Sequence, residues 1–214
     1  MIILDVEQGT ADWHAVRCGR CTASRITDVT AKGKSGPSAM RANYLAELVA
    51  ETLTGTVATD GYVSPAMKRG SETEAEARDL YAFRRNVEPR RVGFVVHPRW
   101  ERMGCSPDSL IGDDGMLEIK CPNTSTHIDT LLGASIDGKY VKQMQFQMAC
   151  TGSAWVDFIS FDNRLPAEMQ LHTRRVNRDD AMIAELEREA DVFLREVADT
   201  VRKLRQRYQI AEAA

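Results

Sequence analysis

The chain has 214 residues, which at roughly 100–200 residues per domain predicts a single domain and excludes two enzymes joined by a linker. With 43% hydrophobic and 28% charged residues, it reads as a soluble globular protein and not as a disordered or fibrous one. The formal net charge of -3 marks neither a nucleic-acid binder nor a strongly acidic surface, so the local distribution of charge carries the information.

No stretch approaches the roughly 18 apolar residues of a membrane span, and MIILDVEQG lacks the basic and apolar regions of a signal peptide, so a cytoplasmic protein is expected. The 5 cysteines form an odd set, with reduced thiols as the default. Cys18 and Cys21 have the spacing of half a zinc site without an obvious other half; otherwise they are two small, partly buried residues.

In chain order, the first feature is a basic arm. Arg17, Arg20, Arg25, Lys32, Lys34 and Arg41 face only Asp28 between His14 and Arg41. A helix is predicted over residues 41–54, with Leu45, Leu48, Val49, Thr52 and Leu53 on one face and Gly55 as the stop. A second helix starts at Ser64-Pro65 and runs to about Arg85. The arginines at 84, 85, 90, 91, 99 and 102 then make a second basic run, either solvated surface or phosphate contact. The period next changes to that of strands, at Val92–His97, Cys105–Ile111, Met116–Cys121, Ala154–Phe161 and Glu168–Val176, interrupted by a helix over about Lys139–Cys150. A long helix from Asp179 to Tyr208 closes the chain, its apolar stripe running through Ile183, Leu186, Ala190, Phe193, Val197, Val201, Leu204 and Tyr208. Helices first, a run of strands and a closing helix predict an α/β layered domain, a mixed sheet covered by helices.

The segment CSPDSLIGDDGMLEIKCP carries the chemistry. Gly112-Asp113-Asp114-Gly115 between two apolar runs predicts an antiparallel hairpin that brings Asp108 to within about one residue of Glu118. Alternation puts Glu118 and Lys120 on one face and Leu117, Ile119 and Cys121 on the other. Two carboxylates and a lysine on rigid strands suit Mg²⁺ and a metal-bound water, and so phosphodiester hydrolysis. Pro107-Asp108 followed by Glu118-x-Lys120 spells the PD-(D/E)xK nuclease signature.

On the second helix Glu74 shares the core face with Met67, Gly70, Ala77 and Tyr81, whereas Glu72 and Glu76 point away. A core-facing carboxylate is paired or metal-bound, so Glu74 is either a ligand of the same site or one half of an internal salt bridge. On the later helix Tyr140, Gln143, Met144 and Gln147 share a face, as phosphate or water holders or as the polar rim of a core.

These residues carry a resemblance. Val6-Glu7-Gln8-Gly9 with Trp13-His14 and Arg17, Thr22-Ala23-Ser24, Gly70 with Glu74, Cys105-Ser106-Pro107-Asp108, Leu117-Glu118-Ile119-Lys120-Cys121-Pro122, and Tyr140 with Gln143 and Gln145 resemble, in order, the λ exonuclease and YqaJ-type viral recombinase family. The match covers about residues 6–161, and the strand and helix over 168–210 match poorly. The resemblance implies a restriction-endonuclease-like core and a processive 5′-to-3′ exonuclease on double-stranded DNA. It implies a ring-shaped homotrimer that leaves 3′ single-stranded tails for phage-type recombination with a single-strand annealing protein, in a bacterial host. It further implies two Mg²⁺ ions, replaceable by Mn²⁺, on Asp108, Glu118, the Ile119 carbonyl and Glu74, with Lys120 and Gln143 placing the water. Arg17, Ser24 and Ser106, with Gln143 and Tyr140 nearby, would hold a 5′-phosphate. Met67 would be the strand-separating wedge and Lys34 the strand grip, where the relatives have leucine and arginine.

RecB-type or Cas4-type nucleases share the acids and lysine but add C-terminal cysteines for an iron–sulfur cluster, and here the last cysteine is Cys150. An inert DNA-end-binding module has no need of clustered acids facing a polyanion.

Overall fold

The computed structural model describes residues 1–33, 36–57 and 65–210. In chain order the elements are β1 (Ile2–Leu4), α1 (Ala11–Arg17), β2 (Cys21–Thr22), α2 (Ile26–Val29), β3 (Lys32–Gly33), β4 (Gly36–Pro37), α3 (Ala39–Thr54) and α4 (Pro65–Arg85). They continue with β5 (Phe94–Val96), β6 (Met103–Cys105), β7 (Ser109–Ile111), β8 (Gly115–Lys120), α5 (Thr124–Leu131), α6 (Gly138–Thr151), β9 (Trp155–Phe161), β10 (Leu171–Asn177) and α7 (Asp180–Tyr208). The expected helix starts and stops carry their chemistry: the Ser38 side chain caps α3, Gly55 ends it in the left-handed region at φ 66°, and Asp179 caps α7. Ser64, the expected cap of α4, lies outside the described residues.

The α/β layering is as expected, and the strands divide into two mixed four-stranded sheets, ordered β1-β5-β6-β2 and β10-β9-β8-β7, and a small antiparallel pair, β3-β4. Each four-stranded sheet has one parallel pair, β2 with β6 and β8 with β9; the second needs the α5–α6 crossover to bring the chain back. The division falls inside the run expected as one strand from Cys105 to Ile111. Pro107 has no N–H to give a ladder, so β6 stops in the first sheet and β7 begins in the second. Gln8 pins this jog, its Nε2 donating to the Pro107 carbonyl at 3.0 Å and to the Val92 carbonyl at 2.8 Å.

The second sheet is covered on both faces. On one side Ala77 and Tyr81 of α4 bury Leu117, Ile119, Ile159, Phe161 and Leu171. On the other, Met116, Val156 and Phe158 join the larger core of α3, α6 and α7. There Phe193 stacks on Tyr44 at 5.3 Å, and trimming such a buried ring to alanine costs about 3–5 kcal/mol. The α7 stripe is buried as far as Val201, but Leu204 is half-buried and Tyr208 is 66% exposed, because the helix outruns the core beneath it. Among the described residues no helix is long and apolar enough to cross a membrane.

Candidate active site

Strands β7 and β8 pair Ser109 with Leu117, Leu110 with Met116 and Ile111 with Gly115, around a turn in which Gly112 takes φ +55°. The next rung puts Asp108 opposite Glu118, and Asp108 Oδ2 accepts from the Ile119 N–H at 2.5 Å. Leu117 and Ile119 face α4, so Glu118 faces α6, as the alternation requires. Its carboxylate is only 1% exposed and survives there because both oxygens are held. Oε1 accepts from Gln143 Nε2 at 2.6 Å and from Lys120 Nζ at 2.5 Å, and Oε2 accepts from Gln147 Nε2 at 2.7 Å. Lys120 Nζ also lies 5.1 Å from the centre of the Tyr140 ring.

Glu74 reaches the same place from α4. It pairs with Arg78, which also donates to Ser109 Oγ at 3.0 Å and to the Asp108 carbonyl at 3.5 Å. Salt bridge and site neighbour are thus one arrangement. Burial, then Glu118, then Glu74 push the Asp108 carboxyl well above the usual carboxylate range, against the smaller pull of Lys120 and the Ile119 N–H. Burial works to lower Lys120, but Glu118 and Asp108 more than offset it and hold the ammonium above its ordinary value.

Three acids that act on one another at one spot are the donor chemistry of a hard cation. Among the described residues no three His, Cys, Asp or Glu side chains are grouped so as to hold a metal ion by themselves. Cys18 and Cys21 gain no further ligands among the described residues; Cys21 is buried and Cys18 Sγ lies 3.8 Å from the Glu51 carbonyl.

A second cluster stands beside the acids. Arg17, in the last turn of α1, donates to Ser24 Oγ at 3.4 Å and lies 4.2 Å over the Trp13 ring, while Trp13 Nε1 donates to Ser106 Oγ at 2.8 Å. Trp13, Arg17, Thr22, Ser24, Arg25 and Tyr44 line a cavity of about 170 Å³. Burial lowers the Arg17 pKa, yet a guanidinium stays charged at any physiological pH. The structure therefore assembles Arg17, Ser24 and Ser106 as one group, two residues along the chain from Asp108.

The basic arm is narrower than its sequence suggests. Arg25 pairs with Asp28 and Glu47, Arg41 with Glu196, and Arg20 lies 3.9 Å from Glu101. In the second run Arg84 donates to the Ala167 and Leu171 carbonyls, Arg99 pairs with Glu187, and Arg102 donates to the Gly19 carbonyl and Thr52. Three of the six arginines thus make contacts within the fold, which neither of the two expected readings, solvated surface or phosphate contact, included. Lys34 lies outside the described residues, and Met67 sits in the first turn of α4, where only the backbone is described.

Sequence reasoning assigned no site role to Trp13 and Arg78, and it left Gln147 as either a phosphate or water holder or the polar rim of a core. Arg78 had a legible signal, one turn beyond Glu74 on the same helix face, and Gln147 had another, one turn beyond Gln143. Nothing local marked the bond from Trp13 to Ser106, which joins residues 93 positions apart.

The sequence matches the model of the YqaJ-like viral recombinase domain over residues 12–154. An alkaline exonuclease, LHK-Exo from Laribacter hongkongensis, is 45% identical, with TM-score 0.86, over 94% of this chain and 100% of that one. LHK-Exo in complex with dAMP is likewise 45% identical, with TM-score 0.87, over 94% of this chain and 98% of that one. A phage related exonuclease from Haemophilus somnus 129PT is similar in fold alone, at TM-score 0.69 and 15% identity over 86% of this chain and 96% of that one. No curated protein matches the sequence.

Proposed function

The chain belongs to the YqaJ-like viral recombinase family, and from that membership and the geometry of the acid hairpin we propose that it is a Mg²⁺-dependent exonuclease digesting duplex DNA from 5′-phosphorylated ends. A nuclease acting in recombination follows from the family and from the 45% identical alkaline exonuclease. The 5′-to-3′ polarity rests on one observation, the step from Ser106 in the Arg17 cluster to Asp108 in the acid site. Two residues of chain reach at most about 7 Å, so Ser106 and Asp108 lie within about one nucleotide of each other. A terminal phosphate held by Arg17, Ser24 and Ser106 sets the next diester beside Asp108 and Glu118. The planar fork of Arg17, fixed by stacking on Trp13, suits a terminal phosphate better than an internal diester.

Asp108, Glu118, Glu74 and the Ile119 carbonyl would hold Mg²⁺, which when bound polarises a phosphoryl oxygen and lowers the pKa of water. Gln143, Gln147 and Lys120 fix the Glu118 carboxylate from three directions, and Arg78 ties Glu74 to the Asp108 strand. Lys120 orients the attacking water from the neighbouring strand position. The deciding test is a gel assay on linear duplex DNA with Mg²⁺ or Mn²⁺ and with excess EDTA. Digestion from 5′-phosphorylated ends that stops in EDTA is expected; undiminished digestion in EDTA, or loss from the 3′ end, overturns the reading.

A net charge of -3 gives little nonspecific grip on DNA, so we further propose a closed homotrimer that encloses its track. Three 23.9 kDa chains give about 72 kDa by light scattering, with long uninterrupted digestion in competitor DNA. A monomer that lets go after a few nucleotides contradicts the ring. The product, a duplex with 3′ tails, is the substrate of a single-strand annealing protein, the proposed partner in a phage- or prophage-bearing bacterial cytoplasm.

A further inference from the structure

A second cavity, of about 270 Å³, adjoins the acid site through Lys120, and none of its lining residues belongs to the Arg17 cluster. Past Asp108 and Glu118 the two strands of the hairpin part company. One leads back through Ser106 to the first sheet, and the other carries Lys120 to Pro122 and the start of α5, beside β9 and β10. The cavity lies along this second branch. Its walls are apolar, formed by Ile136, Phe158 and the ring of Tyr140, which lies 5.7 Å from that of Phe158. Three cations are in its lining, Lys120, which is paired with Glu118 of the acid site, Lys139 and Arg174, beside the hydroxyls of Thr126, Thr130, Ser135 and Ser160 and the His172 ring. Lys139 Nζ lies 4.8 Å from the Tyr140 ring and Arg174 donates to the Ala134 carbonyl at 3.2 Å, so both are placed. Asp129 and Asp137 also line it, the latter 3.3 Å from Lys139 Nζ. Core packing requires no such opening, since the larger hydrophobic core closes behind Phe158.

Aromatic rings with cations in the same lining match a deoxynucleoside, whose flat base stacks on rings while the adjoining phosphates meet ammonium and guanidinium groups. We propose that this cavity is a nucleoside subsite for the second nucleotide of the digested strand, the one joined through the scissile diester to the nucleotide whose 5′-phosphate sits on Arg17. The inference rests on the exonuclease reading and adds what that reading lacks, a grip on the strand that stays behind after each cut. The two cavities then hold the diester from both sides, and the contact is to base faces that every nucleotide offers, so it is indifferent to sequence.

The test uses duplexes with 2-aminopurine at the first or the second nucleotide of a 5′-phosphorylated strand, bound in EDTA and read by fluorescence. The wild type changes the emission of the second-position probe far more than that of the first. Ala134→Trp plugs the mouth of the cavity from an exposed loop position without touching the core. It removes the second-position signal and raises KM on duplex DNA about tenfold, the scale of one lost base stack, with kcat retained. Phe158→Leu opens the wall and gives the same direction. A signal confined to the first position, or one that survives Ala134→Trp, overturns the subsite. Wild-type protein that fails to digest duplex DNA in Mg²⁺ overturns the exonuclease reading instead, and normal digestion with no second-position signal removes the subsite alone.

Discussion

Asp108, Glu118 and Lys120 come from a single hairpin, whereas the Arg17 cluster is gathered from α1, the turn after β2 and the jog between β6 and β7. The acids are placed by strand pairing, whose period of two determines which face each side chain takes. The cluster is placed by docking, α1 resting against a chain segment far away in sequence. On the proposed reading, chemistry sits on a strand hairpin, and selection of the DNA end on a seam between parts that could be altered separately.

The sharpest way to break this comparison is to remove the acid site alone. Asp108→Ala or Lys120→Ala should lower the cleavage rate by about 10³-fold while gel-shift binding of duplex DNA persists, because the Arg17 cluster is intact. Loss of binding in parallel with cleavage would show that the two regions do not act apart.

The converse substitution, Arg17→Ala, should leave the chemistry and erase end choice. Wild-type protein should digest 5′-phosphorylated duplex about ten- to a hundredfold faster than the 5′-hydroxyl form, the scale of a charge-assisted hydrogen bond. In the variant the two rates should converge, and equal rates in the wild type would dismiss the anchor.

Gln147 tests how stiff the acid site must be. Its Nε2 holds Glu118 Oε2, while its own Oε1 is buried without a partner. Gln147→Leu should raise the Mg²⁺ concentration for half-maximal activity about tenfold with little change at saturating metal, as loss of a group that orients a ligand does. An unchanged Mg²⁺ curve would mean that Gln143 and Lys120 suffice.

The smallest effect belongs to the scaffold that both regions share. Burial works against the charge of Asp162, but Arg164 and Thr124 more than offset it and hold its carboxyl below the usual range. A carboxylate depressed in the folded state stabilises above its unfolded pKa of about 3.9, and that contribution fades as the pH falls below it. The wild-type melting temperature should therefore drop by a few degrees more than that of Asp162→Asn between about pH 5 and pH 3, followed by scanning calorimetry.

The acid site was largely legible because it is local. An apolar run, a Gly-Asp-Asp-Gly turn and a second run predict the hairpin, and alternation alone separates Glu118 and Lys120 from Leu117 and Ile119. Glu74 was legible by helical period, and Arg78, one turn further on, was overlooked because an arginine on a core face reads as surface unless its partner is known. Three-residue strands such as β1 and the two-residue β2 have no period to detect, and α1 buries none of its residues, so the two outer strands of the first sheet and the platform for Arg17 were invisible.

The sequence by itself determined the helices with caps and stripes and the hairpin with its acids, since each follows from spacing along one segment, and the family was marked by a resemblance over about residues 6–161. Only the tertiary structure decided that one expected strand breaks at Pro107 into two sheets, because the bonds that hold the break come from Gln8, far upstream. It alone decided which arginines are paired within the fold, since Arg25, Arg41 and Arg99 find acids 22 to 155 positions away. A charge run in sequence is blind to such partners, and Coulomb pairing depends on distance in space, which folding sets.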